Sequence, residues 1–374
     1  GRFPRWRYRR FAQPRAQWYL MAPAPSGGPG PRTGRVIVFD RHGVPVWWRR
    51  GAAEPFNSTL LPDGTLAWTR WFGGPFGASD EIVWEIHRLD GTLVRTLRTV
   101  GSFTDTHDME PLPNGNFLLE TYPLRRDVDL RPYGGSGRGD VVDGEIQELT
   151  PAGALVWRWR TRDHIRPSET DWPVPKRRLD DGTVAYDVVH LNSMEPDRAG
   201  GLVISTRHTN AVYRIDRASG KITWKLGGTG RKESLEVAGD PRDPTFGRQH
   251  DARVLPDGTV TVFDNRSRIG SPRAVRFRID VDGRRARWLG QATDEKARES
   301  VAQGSARRLP GGNWVVSWGG TKVLSEISAS NRPVWRLDFR DGDVFNYRVT
   351  PIAPGRLGAF ELRRAMDRMH PRSP

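Results

Sequence analysis

Three of the eight histidines in the sequence occupy the same position of a repeated pattern. Tight turns of the type Leu-Pro-Asp-Gly recur along the chain, and the residue six positions before each turn proline defines a matched site. Its occupants in chain order are Phe56, His107, His190, His250, Gly304 and Arg348. Because repeated units place matched residues around a common axis, we expect the imidazoles to meet at one mouth of a central channel. Imidazoles can act as nucleophiles, proton carriers or metal ligands.

Polar and aromatic residues near these histidines indicate an anion-binding pocket. Asn192 follows His190 by two residues, so strand alternation directs both side chains to the same side. Arg207 lies where the next strand returns to that end, and its planar guanidinium group suits an anion. Further substrate-binding candidates are Tyr122, Asn265 and Trp318 at matched return positions, and His208, for which a surface role is the alternative. The set fits an aromatic anion.

Three aspartates accompany the histidines. Asp108 and Asp251 directly follow His107 and His250, so alternation points their side chains away from the channel. We interpret both as groups that orient the imidazoles from behind. Asp187 is interpreted as a residue that stabilises its own loop.

Several kinds of chemistry compete for this set of residues. Three neutral imidazoles can bind zinc, but a nearby Arg207 disfavours a divalent cation, and no metal or cofactor is predicted. A serine hydrolase needs a nucleophilic elbow, yet the sequence has no G-x-S-x-G motif, and Ser193 faces away from His190 by alternation. The absence of cysteine excludes thiolate catalysis. A histidine nucleophile that transfers an anionic group remains, and phosphoryl and sulfuryl groups both fit.

The turn repeats predict an all-β fold. The clear turns span residues 61–64, 112–115, 255–258 and 309–312, with weaker copies at 196–197 and 354–355. A second type of hairpin, which often closes on tryptophan, spans 36–48, 82–97, 145–159, 211–224, 274–288 and 323–335. Six hairpins of each type predict a six-bladed β-propeller with four-stranded antiparallel blades. Long connections at 123–143, 161–186 and 227–248 are expected to cover the channel mouth.

The order of the hairpins predicts how the ring closes. The chain begins with a second hairpin and ends with a first strand near 345–351, so we predict a last blade built from both termini. Residues 18–22 or residues 356–360 would supply its second strand. The predicted organisation is a basic arm with a Pro/Gly linker over 1–33, a propeller over 34–361 and a basic tail over 362–374.

The charge of the chain is strongly positive, at +15. Its arginines are spread over predicted strands and turns, and no nucleic-acid-binding motif is found, so nucleic acid is not an expected partner. The densest basic run, residues 2–15, is interpreted as a surface arm suited to a membrane surface. The first residue is Gly1, so we expect that an upstream signal or anchor has been removed and that the protein is extracytoplasmic.

Three longer motifs resemble the arylsulfotransferase family. They are H-L-N-S with S-T-R-H-T-N-A-V-Y-R-I-D, F-G-R-Q-H-D-A-R-V-L-P-D-G, and T-H-D-M-E-P-L-P-N-G. The resemblance extends over about residues 19–354 and is strongest over 106–265. It implies a six-bladed propeller that transfers a sulfuryl group from a phenolic sulfate ester to an acceptor phenol, without a nucleotide sulfate donor.

The resemblance also implies roles for individual residues. His250 would become transiently sulfated in a ping-pong cycle, with His107, His190, Asn192 and Arg207 around the sulfate. Well-studied bacterial members have an additional N-terminal domain and a disulfide, which this chain lacks. Two alternatives stay open, a non-catalytic propeller that binds anions or polyanions at a cell surface and a histidine-metal hydrolase.

Overall fold

The computed structural model is an all-β protein with a single α-helix among its described residues. It describes residues 3–25, 34–51, 53–71, 75–179, 181–341 and 344–371. Most of the predicted Pro/Gly linker, residues 26–33, lies outside this set, as do both chain ends. Within the described ranges, no helix has the length and apolar character needed to cross a membrane.

The secondary structure alternates short strands with tight turns throughout the chain. The strands are β1 (Trp6–Arg10), β2 (Trp18–Pro25), β3 (Arg35–Asp40), β4 (Pro45–Arg50), β5 (Glu54–Leu60), β6 (Leu66–Trp71), β7 (Ala78–Ser79), β8 (Val83–His87), β9 (Leu93–Leu97), β10 (Thr104–Pro111), β11 (Phe117–Thr121), β12 (Leu124–Asp129), β13 (Arg138–Val142), β14 (Glu145–Leu149), β15 (Leu155–Arg160), β16 (Lys176–Arg178), β17 (Val184–Asp187), β18 (Leu191–Pro196), β19 (Gly201–Thr206), β20 (Ala211–Asp216), β21 (Ile222–Gly227), β22 (Glu236–Ala238), β23 (His250–Val254), β24 (Val260–Asp264), β25 (Arg273–Asp280), β26 (Arg285–Ala292), β27 (Ser305–Arg308), β28 (Trp314–Ser317), β29 (Val323–Ile327), β30 (Pro333–Phe339) and β31 (Val344–Ile352). The helix is α1 (Ala359–Met369).

The described strands form seven sheets, and six of them contain the predicted hairpins. Their strand orders are β5-β6-β8-β9, β7-β10-β11-β14-β15, β18-β19-β20-β21, β23-β24-β25-β26-β22, β27-β28-β29-β30-β1 and β31-β2-β3-β4. Each predicted second hairpin is an antiparallel pair, which confirms these strands. Three of the sheets carry a fifth strand that the repeat pattern did not predict.

One sheet joins strands from the two ends of the chain. Strand β31 pairs antiparallel with β2, which in turn pairs with β3. The strand predicted at residues 18–22 is therefore present, within β2. The alternative at 356–360 is wrong, because α1 begins at Ala359 and the Gly358 backbone N–H donates to Glu361 at 3.0 Å, a typical N-terminal capping contact.

The structure differs from the predicted surface arm and tail. Residues 6–10 form β1, which pairs with the edge strand β30. Trp6 packs edge-on against Phe39 at 5.1 Å, because aromatic residues alternate with arginines in this strand and give it one apolar face. Most of the predicted tail is α1, whose Leu362 and Ala365 are buried in a hydrophobic cluster.

A seventh sheet stands where long connections were predicted. Strands β12, β13, β17 and β16 form it, with β13 and β17 parallel. Its strands come from the segments around residues 123–143 and 161–186, which the sequence analysis treated as loops. Short polar strands such as β16, all exposed, lack the alternation that identifies a strand from sequence.

The core consists of aliphatic strands with large aromatic side chains between them. Trp47, Trp68, Trp84 and Trp335 are fully buried. Tyr19 of β2 stacks on Trp335 of β30, in a different sheet, with ring centres 4.1 Å apart. Such stacking between neighbouring sheets is the role expected for the many tryptophans.

Buried ion pairs link the innermost strands of four sheets. Arg253 of β23 contacts Asp108 of β10 at 2.7 Å, and Arg348 of β31 contacts the same carboxylate at 2.6 Å. The other acidic partners of Arg253 are Asp251, Glu110 and Glu195. The interpretation of Asp108 and Asp251 as groups that orient histidines is therefore wrong, since both carboxylates neutralise buried arginines. The positive charges of these arginines explain why the Asp108 and Asp251 side chains point toward them.

Glu110 makes the stability of this network depend on pH. Burial and the neighbouring Glu195 raise the pKa of Glu110 from 4.5 to about 8, although Arg253 and Arg307 oppose the shift. The folded state thus holds a proton that the unfolded state releases above pH 4.5. Its stabilising effect is complete at low pH and is lost as the pH rises through about 8.

We therefore expect the Glu110→Gln variant to gain stability relative to the wild type as the pH rises from about 5 to 9. Urea unfolding of both proteins across this range measures the difference. The exposed Glu236→Gln serves as the control and should show no such trend. A constant difference between Glu110→Gln and the wild type across this range would contradict the proposed protonation.

Candidate active site

The structure brings the three matched histidines together. His107 lies in β10, His190 immediately precedes β18, and His250 begins β23. The ring centres of His107 and His190 are 4.9 Å apart, and those of His190 and His250 are 6.5 Å apart. The convergence predicted from the repeat is thus found among residues that are far apart in the chain.

Irregular strand pairing sets the direction of these side chains. The register shifts between Thr104 and Met109, between Leu191 and Ser193, and between His250 and Arg253. His190 itself has a φ of +56°, which is rare for a residue other than glycine. A β-bulge of this kind bends a strand and redirects a side chain, and bulges are common beside active sites.

His107 is held by a carboxylate and by close backbone packing. Its Nδ1 atom is 2.7 Å from Asp105 Oδ2, and its backbone N–H donates to Asp105 Oδ1 at 2.7 Å. Gly77, at a φ of +83°, packs so closely that an added Cβ would lie 2.7 Å from His107 Cε1. These contacts fix the orientation of the ring and give Nδ1 a strong acceptor.

His190 has a comparable arrangement. Its Nδ1 is hydrogen-bonded to Asp187 Oδ2, and its ring stacks on Tyr122 with centres 6.0 Å apart. The Tyr122 hydroxyl donates to the backbone carbonyl of Leu191. The ring of Tyr122 thus lies against His190, while its hydroxyl proton is used in a hydrogen bond to the backbone.

The hydrogen bonds of His250 define its tautomer. Asn265 Nδ2 donates to Ser300 Oγ at 2.7 Å and to the Gln303 carbonyl at 2.8 Å, so its amide oxygen faces His250. His250 Nδ1 is 2.7 Å from that oxygen and must carry the proton. Nε2 then keeps its lone pair and accepts the backbone N–H of Gln303 at 3.2 Å. A neutral imidazole with an unprotonated Nε2 can act as a nucleophile when a substrate replaces this hydrogen bond.

Arg207 and His208 share a short turn after β19. Arg207 Nη1 donates to His208 Nε2 at 2.7 Å, and His208 Nδ1 donates to the Asp187 carbonyl at 2.6 Å. His208 is therefore neutral and buried, in contrast to the alternative of a surface role. The Nε of Arg207 is buried and has no hydrogen-bond partner, so the site contains a guanidinium donor without an acceptor.

Burial and positive charge keep His190 and His250 neutral. Burial lowers the pKa of His190 well below its usual value, and His107 and Arg207 lower it further. Burial likewise lowers the pKa of His250, with a further contribution from Arg207. Burial and the neighbouring Arg248 lower the pKa of Arg207 to about 10, so the guanidinium remains charged at neutral pH. The site therefore combines neutral imidazoles with a buried cation.

The remaining predicted residues divide into two groups. Asn192 is fully buried beside the site: its Nδ2 donates to the Gln249 carbonyl at 2.8 Å, and its Oδ1 has no partner. Trp318 instead lies in a hydrophobic cluster with Phe263, and its Nε1 donates to Ser325 Oγ at 2.6 Å. The ring contacts that join the described histidines do not include Trp318, so its prediction as a pocket residue has no support from the geometry.

Sequence reasoning missed three residues of the site. Asp105 orients His107, and Tyr347 places its ring 5.6 Å from His107 and 6.4 Å from His250. Tyr347 directly precedes the matched position Arg348, so regular alternation would direct its ring away from the histidines. Asp105 lies two residues before His107, so alternation places it on the same side, and this spacing was a signal that the sequence offered. The third, Arg248, precedes the Gln-His motif in a turn, where no periodicity applies.

Among the described residues, two sets of side chains have donor atoms close enough together to bind one metal ion. They are Asp187 with His190 and His208, and Asp105 with His107 and Glu120. In the first set the guanidinium of Arg207 donates to His208 Nε2, which places a cation where the metal would bind. In the second, the oxygen and nitrogen of Asp105 and His107 are 2.7 Å apart. Ligands of one tetrahedral zinc are about 3.3 Å apart, so the second arrangement does not match a zinc site.

The tautomer of His250 is open to a direct test. In ¹⁵N-labelled protein at neutral pH, we expect Nδ1 of His250 to be protonated and Nε2 to be unprotonated. Asn265→Ala removes the acceptor at Nδ1 and should produce a mixture of both tautomers. Asn116→Ala, which removes an amide distant from the histidines, is the control. An unchanged His250 spectrum in Asn265→Ala would show that the amide does not fix the tautomer.

Several solved structures are similar to this chain. A protein of unknown function from Bacteroides caccae matches with a TM-score of 0.52 at 13% identity, over 90% of this chain and 99% of its own. A putative 6-phosphogluconolactonase from Bacteroides fragilis NCTC 9343 matches with a TM-score of 0.48 at 12% identity, over 89% of this chain and 98% of its own. The β-propeller domain of Cps50 (Swd1) from Myceliophteria thermophila matches with a TM-score of 0.39 at 10% identity, over 77% and 87%.

The likeness to the Bacteroides caccae protein shows a shared fold. No curated protein matches the sequence significantly. The family model described as arylsulfotransferase (ASST) matches residues 75–340, more than two thirds of the chain. This range contains all three matched histidines, Arg207 and Asn265. The chain therefore belongs to the arylsulfotransferase family.

Proposed function

We propose that the protein transfers a sulfuryl group from an aryl sulfate ester to an acceptor phenol through a sulfated His250. The observation that carries this proposal is the combination of a neutral His250, whose Nε2 is unprotonated and accepts only the Gln303 N–H, with the Arg207 guanidinium, whose buried Nε lacks an acceptor. Family membership supports aryl sulfates and phenols as the substrates. No nucleotide donor or cofactor enters the proposed reaction.

The proposed first step forms a nitrogen–sulfur bond and breaks the sulfur–oxygen bond to the aryl group. His250 Nε2 attacks the sulfur, and Asn265 accepts a hydrogen bond from Nδ1 as the ring gains positive charge. Arg207 stabilises the negative charge on the sulfuryl oxygens. A protonated His107, supported by Asp105, gives its proton to the departing phenolate, while His190 and Asn192 hydrogen-bond the substrate.

The second step reverses these events with a new phenol. Neutral His107 takes the phenol proton, the phenol oxygen attacks the sulfur, and the nitrogen–sulfur bond breaks. The charge on each group returns to its starting value, so the cycle needs neither oxidant nor net proton. Two ordered half-reactions of this type give ping-pong kinetics.

The fold and its setting are part of the same proposal. The six sheets that contain the hairpins would be the blades of a six-bladed propeller over residues 34–361, closed by β31 and β2. We also infer an extracytoplasmic protein of bacterial type, whose basic N-terminal residues associate with a membrane surface. Exposed arginines on β1 support this last inference, since anionic headgroups attract them.

Replacement of the nucleophile tests the function. The wild type should consume an aryl sulfate continuously only when a phenol acceptor is present. His250→Ala should lower this transfer by about three orders of magnitude or more, as expected for the loss of a covalent nucleophile. Mass spectrometry of donor-treated wild type should find a sulfuryl adduct on the peptide that contains His250.

The control is His42→Ala, at an exposed turn, which should keep wild-type transfer. Normal turnover by His250→Ala would contradict the mechanism. Sulfate binding by a wild type that shows no turnover over a broad panel of aryl sulfates would instead favour the non-catalytic anion-binding alternative.

A further inference from the structure

Arg248 links the candidate site to two of the long connections, residues 161–186 and 227–248. It ends the segment 227–248 and directly precedes Gln249 and His250. Its φ of +63° lies in the left-handed region, which is uncommon for a residue other than glycine. Its backbone N–H donates to Asn210 Oδ1 at 2.8 Å. Its carbonyl oxygen is 3.1 Å from His250 Nδ1.

The side chain of Arg248 is only partly satisfied. Its Nη2 atom contacts the Asp171 carboxylate at 2.8 Å and the Asp171 carbonyl at 3.2 Å. Its Nη1 atom is buried and has no hydrogen-bond partner. The side chain is 12% exposed, whereas that of Asp171 is 49% exposed. A buried N–H of a charged group that has no acceptor destabilises the folded protein, so we expect a ligand to accept a hydrogen bond from this atom.

The same deficiency occurs in Arg207, which the backbone places close by. The Asp171 backbone N–H donates to the His208 carbonyl at 2.7 Å, so the partner of Arg248 is fixed to the turn that contains Arg207. Both guanidinium groups therefore belong to one region, and each has a buried N–H without an acceptor. Two like charges in a buried site repel each other unless an anion lies between them.

We propose that Arg248 is the second guanidinium of the anion site and binds the sulfate group together with Arg207. Asp171 competes with that anion, because its carboxylate neutralises the same side chain. This inference rests on the proposed function only for the identity of the substrate, since anion binding can be measured without turnover. Arg248 also lowers the pKa of His190 and of Arg207, as a nearby cation does.

Replacing Arg248 and replacing Asp171 should have opposite effects on the binding of inorganic sulfate, which calorimetry measures. Arg248→Met should weaken sulfate binding by about tenfold or more, the loss expected for a hydrogen bond between charged groups. Asp171→Asn should strengthen it, because the competing carboxylate is removed. Removal of the Arg248 charge should also raise the pKa of His190, which NMR titration detects.

The matched control is Arg214→Met. Arg214 is similarly buried, with 18% of its side chain exposed, and pairs with Asp197 beside a hairpin turn. It should leave sulfate affinity unchanged. If Arg248→Met does not fold, Asp171→Asn decides, since it keeps both arginines. Wild-type sulfate affinity in Arg248→Met, or no gain in Asp171→Asn, overturns the proposal. Weaker sulfate binding by Arg248→Met together with a wild type that transfers no sulfuryl group leaves this inference standing and removes only the proposed function.

Discussion

Neutralisation of buried arginines is the constraint on which the candidate site depends. Arg253 is almost fully enclosed and needs carboxylates around it, and these come from strands of other sheets. Arg348 shares Asp108 with it and so brings in the strand near the end of the chain. A cation that lost such partners would destabilise the fold by several kcal/mol, about 3–5 for a broken buried pair. The inner strands therefore keep one relative arrangement. Because the histidines lie in or directly before these strands, their relative positions are fixed as well.

The positive charge has a different consequence at the site itself. No carboxylate is paired with Arg207 in the described residues, and its nearest hydrogen-bond partners are a neutral imidazole and a carbonyl. A cation in this setting suppresses protonation of the surrounding rings and leaves their lone pairs available. In the proposed reaction, Arg207 would thus favour the neutral form of His250 and also attract the anionic group of the substrate. One electrostatic arrangement serves binding and reactivity together.

Much of this arrangement follows from the sequence, and the exceptions have physical reasons. The hairpins were recognisable because Pro-Asp-Gly turns and alternating strands are local signals. The meeting of His107, His190 and His250 followed from the repeat alone. The place of Tyr347 did not, because it lies one residue from the matched position Arg348, and regular alternation would direct its ring to the other face. The short exposed strand β16 and the pairing of β1 depend on contacts with distant segments, which no local pattern encodes.

The pairing of β31 with β2 also bears on how the site is made during synthesis. Tyr347 belongs to β31, yet its ring lies against His107 and His250. A chain whose synthesis has reached His250 but not β31 contains all three histidines and lacks this ring beside them. If His250 reacts as proposed, the site would therefore stay incomplete until β31 is made and pairs with β2.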